Sequence, residues 1–178
     1  MTRGLAHPAE IVADGYALEP RVRRADEVVL PEPDATRLDA SLAGLPALVG
    51  RWFGAALTDW EGSCLLRYGP GGRYLPHRDV ADPGVVDHVV SRRRFTVVLF
   101  LNAAGDASGG GFAGGRLRVL DETGPVAAGG ALGQAGWERA GLAIEPEEGM
   151  LVAFPAGLLH AVEPVTSGVR DVLVSWLS

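Results

Sequence analysis

His77 and Asp79 stand two residues apart in RYGPGGRYLPHRDV, residues 67 to 80, just after a glycine-rich turn in a stretch that otherwise reads as strand. On a strand, alternate side chains share a face, so the imidazole and the carboxylate project together and Arg78 projects the other way. Two good ligand types are thereby brought within reach of one ion. The pair alone selects no metal, because a solvated histidine and aspartate at this spacing also arise by chance. A third ligand must come from His7, His88 or His160, the other histidines of the chain. His7 precedes a proline in what reads as a flexible end, and His88 lies in the polar segment DPGVVDHVVSRRR, which reads as a loop. His160, in the strand-like FPAGLLHAVEPV, is the expected third ligand, since two strands of a rolled sheet can bring distant residues to one point. Two histidines and one carboxylate on one face of an ion leave coordination positions open, the arrangement of non-haem Fe(II) oxygenases, whereas zinc usually favours a four-coordinate site.

Ten residues after His160, Arg170 opens the terminal strand RDVLVSWLS, where it shares a face with Val172, Val174 and Trp176. Its planar fork suits a carboxylate held by two parallel hydrogen bonds. Among such neighbours the guanidinium calls for an anion; a strand-end arginine at the surface is the other reading. Cys64, the single cysteine, reads as a small buried hydrophobe and excludes both an intramolecular disulfide and a cysteine zinc cage.

The elements that must position these residues change character along the chain. Between Asp34 and Gly54, Leu38, Leu42, Leu45, Leu48, Val49, Trp52 and Phe53 recur at helical spacing, and Pro46 divides the helix in two. From residue 63 onward short β-rich runs alternate with glycine and proline: SCLLRY, RYLPHRDV, FTVVLFLN, GRLRVL, LAIEP, MLVAF, HAVEPV and RDVLVSWLS. GGGFAGG (109 to 115) and AAGGALGQAG (127 to 136) read as loops. The pattern predicts a mainly β jelly roll with N-terminal helices on an outer face, a single domain over 1–178 with a helical part over about 1–60 and the core over about 61–178.

The 178 residues are 47% hydrophobic and 21% charged, with 25 glycines and 12 prolines, which suits a globular chain rich in tight turns. A net charge of −6 argues against a nucleic-acid partner, which calls for clustered Lys and Arg. No apolar run reaches the roughly 18 to 20 residues of a membrane span, and no signal peptide is evident, so no membrane partner is expected and a cytoplasmic location is.

Several of these segments, in this order, resemble the Fe(II)- and 2-oxoglutarate-dependent oxygenases, closest to their prolyl-4-hydroxylase-like branch. The likeness runs from about Cys64 to Trp176: RYGPGGRYLPHRDV is similar to the family's tyrosine, glycine turn and His-x-Asp segment, and RRFTVVLFLN to its next strand. GGRLRVL and EPEEGMLVAFPAGLLHAVEPVTSGVRDVLVSW follow its Gly-Gly turn and its distal histidine, Pro-Val, arginine and tryptophan pattern. The resemblance implies a double-stranded β-helix in which His77, Asp79 and His160 bind Fe(II), Arg170 pairs with the distal carboxylate of 2-oxoglutarate, and Tyr68 hydrogen-bonds the same co-substrate. It places Trp176 in the co-substrate site, as it does Phe100. Phe100 departs from the family, where a tyrosine often adds a hydroxyl to that carboxylate. Dioxygen is the second co-substrate and ascorbate an expected reductant.

The implied activity is hydroxylation of an unactivated C–H of a prolyl residue in a peptide or protein, by a monomer or homodimer. A carboxylate at Asp79 favours hydroxylation over halogenation, since iron halogenases carry a small residue there. A free amino acid or natural-product small molecule is the alternative substrate, and a non-catalytic cupin-like module the alternative class. Residues 82 to 94 are expected to form a lid, with Arg92 and Arg93 favouring an acidic substrate.

Overall fold

The computed structural model describes residues 5–12, 16–81, 89–122 and 140–178. Strands β1 (Leu5–Pro8), β2 (Ile11–Val12), β3 (Tyr16–Ala17), β4 (Arg23–Arg24) and β5 (Asp26–Val29) precede helices α1 (Glu32–Leu42) and α2 (Leu45–Phe53). Strands β6 (Trp60–Tyr68), β7 (Arg73–His77), β8 (Phe95–Phe100), β9 (Phe112–Gly114) and β10 (Leu117–Leu120) follow. The chain ends with β11 (Gly141–Ile144), β12 (Leu151–Pro155), β13 (His160–Val162), β14 (Val165–Gly168) and β15 (Arg170–Leu177).

A six-stranded sheet in the order β1-β5-β6-β15-β8-β12 faces a five-stranded sheet in the order β11-β10-β13-β7-β4, the jelly-roll architecture. Period-two alternation builds the core between them. On β15, Arg170, Val172, Val174 and Trp176 line the cavity between the sheets, while Leu177 packs outward with Phe95 and Val97 of β8. Val98, Phe100, Phe112, Leu117 and Phe154 fill the interior around them.

Pro46 sits in the first turn of α2, where its missing N–H costs nothing, so the helix breaks where the sequence predicts. Leu45 and Val49 of α2 pack on Phe95, Val97 and Leu177, each such burial stabilising by roughly 1.5–3 kcal/mol. Leu48 and Trp52, also four apart, form the adjacent stripe and stay exposed, Trp52 by 84%. The apolar periodicity is therefore wider than the buried face.

The structure also adds strands where none were expected. His7 is not in a loose end: β1 pairs with β5 in register, with His7 opposite Glu27, although its side chain is exposed. Within GGGFAGG, Phe112 is fully buried and anchors β9 against β14, so this run is a short strand between turns. The 127 to 136 run and His88 lie outside the described residues.

Candidate active site

Strands β7 and β13 pair antiparallel with His77 directly opposite His160. Asp79 is not on the strand as the sequence pattern suggests; β7 ends at His77 and Asp79 occupies the following bend. Its backbone N–H donates to the Ala156 carbonyl at 3.0 Å, which turns the carboxylate back toward both imidazoles. Arg78 pairs instead with Glu122. The three side chains offer ligand atoms that all lie within 4.8 Å of one another.

Each imidazole is oriented in the same way. Nδ1 of His77 lies 2.8 Å from the Leu75 carbonyl, and Nδ1 of His160 lies 2.8 Å from the Leu158 carbonyl. A carbonyl only accepts, so each Nδ1 carries the proton and each Nε2 presents a lone pair. Those Nε2 atoms stand 3.6 and 3.3 Å from the Asp79 carboxylate oxygens. Two lone pairs and a carboxylate thus converge on one point, a donor set that fits a divalent cation of the first transition row. Thr96 donates its hydroxyl to Asp79 Oδ2 at 2.7 Å, and the Tyr74 ring stacks on His77 at 3.4 Å. Replacing Thr96 with valine removes this donor at nearly constant shape, so metal affinity should fall by about 10- to 100-fold. An equilibrium Mn(II) titration reads this; unchanged affinity would mean that the hydroxyl does not position Asp79.

Burial, and then the neighbouring His160, push the His77 pKa down to about 4. Burial alone would raise the Asp79 carboxyl, but hydrogen bonds and charge from His160 and His77, which act when the imidazoles facing it are protonated, outweigh it and hold the group well below its ordinary range. Since His77 is depressed from an ordinary value near 6.5, the unfolded chain binds the extra proton first as pH falls. The metal-free protein should therefore keep its full stability above about pH 6.5 and lose roughly 3 kcal/mol of it between there and about pH 4. Denaturant midpoints across that window test this; a flat profile would contradict a buried neutral His77.

Arg170 is 1% exposed, and its Nε and Nη1 are buried without a hydrogen-bond partner. Burial lowers its pKa to about 10, with Tyr68 acting in the opposite direction, so it remains cationic at neutral pH. Its guanidinium carbon lies 4.9 Å from the Tyr68 ring and 5.1 Å from the Phe100 ring. Gly115, at φ 66°, leaves room for this side chain, since a Cβ there would stand 3.0 Å from Arg170 Cδ. A buried guanidinium with open donors fits a carboxylate. Arg170, Tyr68 and the three ligand residues line one cavity of about 910 Å³. Phe100 is fully buried and contributes its ring to the Arg170 pocket without a hydroxyl. Trp176 pairs with Thr96, at the end of β15 away from Arg170.

Arg93 differs from the sequence expectation. Its guanidinium lies 3.7 Å above the Trp176 ring, and Nη2 pairs with Glu61 at 2.7 Å. With only 10% of its side chain exposed, it is a neutralised wall of the cavity and not a free charge on a lid. Arg92 is exposed on a 3-10 turn spanning Val89–Arg92, and residues 82–88 lie outside the described part. Cys64 is half-buried, and burial followed by nearby Glu27 raises its thiol to about 12, which makes it inert. The sequence reading missed Thr96, whose signal is a lone polar residue inside FTVVLF, and Arg23, a cavity-lining residue on β4 whose strand is too short to leave a pattern.

Residues 64–178 match the model of the 2OG-Fe(II) oxygenase superfamily. PKHD-type hydroxylases from two Synechococcus strains, JA-2-3B'a(2-13) and JA-3-3Ab, are each 32% identical over 111 residues, covering 62% of this chain. The match spans 39% of each relative's length. In fold, the chain is similar to a Pseudomonas putida prolyl-4-hydroxylase, with TM-score 0.63 and 21% identity over 97% of this chain and 76% of that one. It is also similar to a Trichoplax adhaerens prolyl hydroxylase in complex with a hypoxia inducible factor oxygen degradation domain peptide fragment, with TM-score 0.69 and 18% identity over 98% and 70%. Members of the matched family use Fe(II), 2-oxoglutarate and dioxygen, to which the converging donors and the open guanidinium correspond. This chain belongs to the 2OG-Fe(II) oxygenase superfamily.

Proposed function

We propose that the protein hydroxylates a C–H bond of a prolyl residue in a peptide or protein, coupled to conversion of 2-oxoglutarate to succinate and carbon dioxide. The observation that carries this reading is the placement of the His77, Asp79 and His160 donors and the unpaired Arg170 guanidinium on one cavity. Iron held by His77, Asp79 and His160 would supply the activation of dioxygen, with one oxygen atom accounted for in succinate and the other in the hydroxylated substrate. The chain's own residues do the positioning. His77, Asp79 and His160 hold the metal on one face. Arg170 would pair with the distal carboxylate of 2-oxoglutarate beside Tyr68, and the buried Val172, opposite Phe100 on the neighbouring strand, would help keep that end dry. Trp176, opposite Thr96 and under Arg93, lines the same cavity at the far end of β15 from Arg170, so no contact with 2-oxoglutarate is assigned to it. Ascorbate would serve as a reductant that keeps the iron ferrous.

The prolyl assignment draws support from the fold likeness to prolyl hydroxylases and from the PKHD-type relatives. A mass-spectrometric screen of proline-containing peptides alongside free amino acids, with Fe(II) and 2-oxoglutarate, tests it. The expected result is a gain of one oxygen atom on a prolyl ring; oxygen gained only by free small molecules would replace this reading with the small-molecule one.

A further inference from the structure

Four arginines of the described residues line the cavity: Arg23, Arg78, Arg93 and Arg170. Arg78 is paired with Glu122 and Arg93 with Glu61, while Arg170 is committed to the co-substrate. Arg23 remains. It comes from β4, whose pairing with β7 sets Arg23 opposite Tyr74, the residue that stacks on His77. Its guanidinium carbon lies 4.9 Å from the Tyr74 ring centroid, and Nη1 donates to the Glu10 carbonyl at 2.7 Å. Nε is buried and has no hydrogen-bond partner. No carboxylate of the described residues forms an ion pair with it, although Glu10 and Glu27 line the same cavity. Burial works against its charge, but the neighbouring Tyr68 and Tyr74 outweigh that effect, so Arg23 stays cationic.

A half-buried cation with an open buried donor and no carboxylate partner among the described residues has capacity to take the counter-charge of a ligand. We infer that Arg23 is a specificity-determining residue that binds a carboxylate of the substrate, so that the molecule oxidised carries a free carboxylate near the reacting C–H. This rests on the oxygenase chemistry of the proposed function and leaves the choice between a peptide and a free amino acid to the test. The sequence expectation of an acidic substrate is kept, but its cation moves from the loop before β8 to β4, beside the Tyr74 and His77 stack. Such a carboxylate has two sources, the terminal carboxylate of an amino acid or peptide and the side chain of an adjacent acidic residue.

The test measures succinate formed by the full chain with Fe(II) and 2-oxoglutarate in the presence of matched probes. One arm compares L-proline, N-acetyl-L-proline and Ala-Ala-Pro with their carboxamides, and the other compares amidated Ala-Pro-Asp and Ala-Pro-Glu with their Asn and Gln counterparts. The expected result is stimulation by an acid, with a half-saturating concentration lower than its amide's by about tenfold or more, the range of a hydrogen bond to a charged group. Arg23→Gln should erase that preference and Arg23→Lys should retain part of it, with thermal midpoints recorded for both. The arm that responds identifies the source of the carboxylate. Equal response to acid and amide in the wild type, stimulation by no acid, or a preference surviving in folded Arg23→Gln would each overturn the inference. So would a raised requirement for 2-oxoglutarate in that variant with the preference intact, which would assign Arg23 to the co-substrate. Absence of succinate from the wild type under every condition would overturn the oxygenase reading itself.

Discussion

His160→Ala is expected to abolish tight divalent-metal binding and, with it, all turnover of 2-oxoglutarate. His160 supplies one of three donors and stands opposite His77 across paired strands, so no nearby side chain replaces it. Loss of outer-sphere partners alone costs about 10- to 100-fold in metal affinity, and loss of a direct donor exceeds that. Because the ring is buried beside Phe154, the variant's thermal midpoint and far-UV spectrum should be recorded alongside. His88→Ala provides the contrast, with metal stoichiometry staying at one per chain. If His88→Ala lost metal and a folded His160→Ala kept it, the third ligand would be misassigned.

The second large effect is expected at Arg170. Alanine there leaves the distal carboxylate of 2-oxoglutarate unpaired in a dry pocket, a loss of about 2 to 5 kcal/mol, or roughly 30- to 5,000-fold in the concentration needed for half-maximal rate. Lysine restores the charge but not the planar pair of donors, so Arg170→Lys should lie between the two. The guanidinium packs between Tyr68 and Phe100, and a truncation there also leaves a void. Co-substrate dependence is therefore compared at a temperature where both variants are folded. Unchanged dependence in folded Arg170→Ala would remove Arg170 from the co-substrate site.

The approach of His77 to His160 was legible in the sequence because a jelly-roll topology pairs distant strands, and the His-x-Asp spacing kept Asp79 in the set. Asp79 shows the limit of that logic. It reaches the cluster from a bend, through a backbone hydrogen bond to Ala156 that no local pattern encodes. Arg170 was legible for a different reason: its strand neighbours are apolar, and burial without an internal partner follows. Arg93 was misread because its partner Glu61 is distant in sequence, and an arginine in a polar run looks solvated until β6 and β8 share a sheet. The strands over 5–29 escaped notice since they are two to four residues long, and those that join the main sheets do so through β4 on β7 and β5 on β6, pairings distant in sequence. Arg23, which lines the cavity from β4, escaped notice with them. On α2, the helix period was correct but its apolar positions overstate the buried face, as Trp52 shows.

Incubation with Fe(II) and 2-oxoglutarate under oxygen-18 gas, followed by mass spectrometry of the succinate, probes the chemistry itself. The wild-type chain should release succinate carrying one labelled oxygen atom, and His160→Ala should release none. Unlabelled succinate, or no succinate from metal-replete wild type, would contradict an oxygenase built on His77, Asp79, His160 and Arg170.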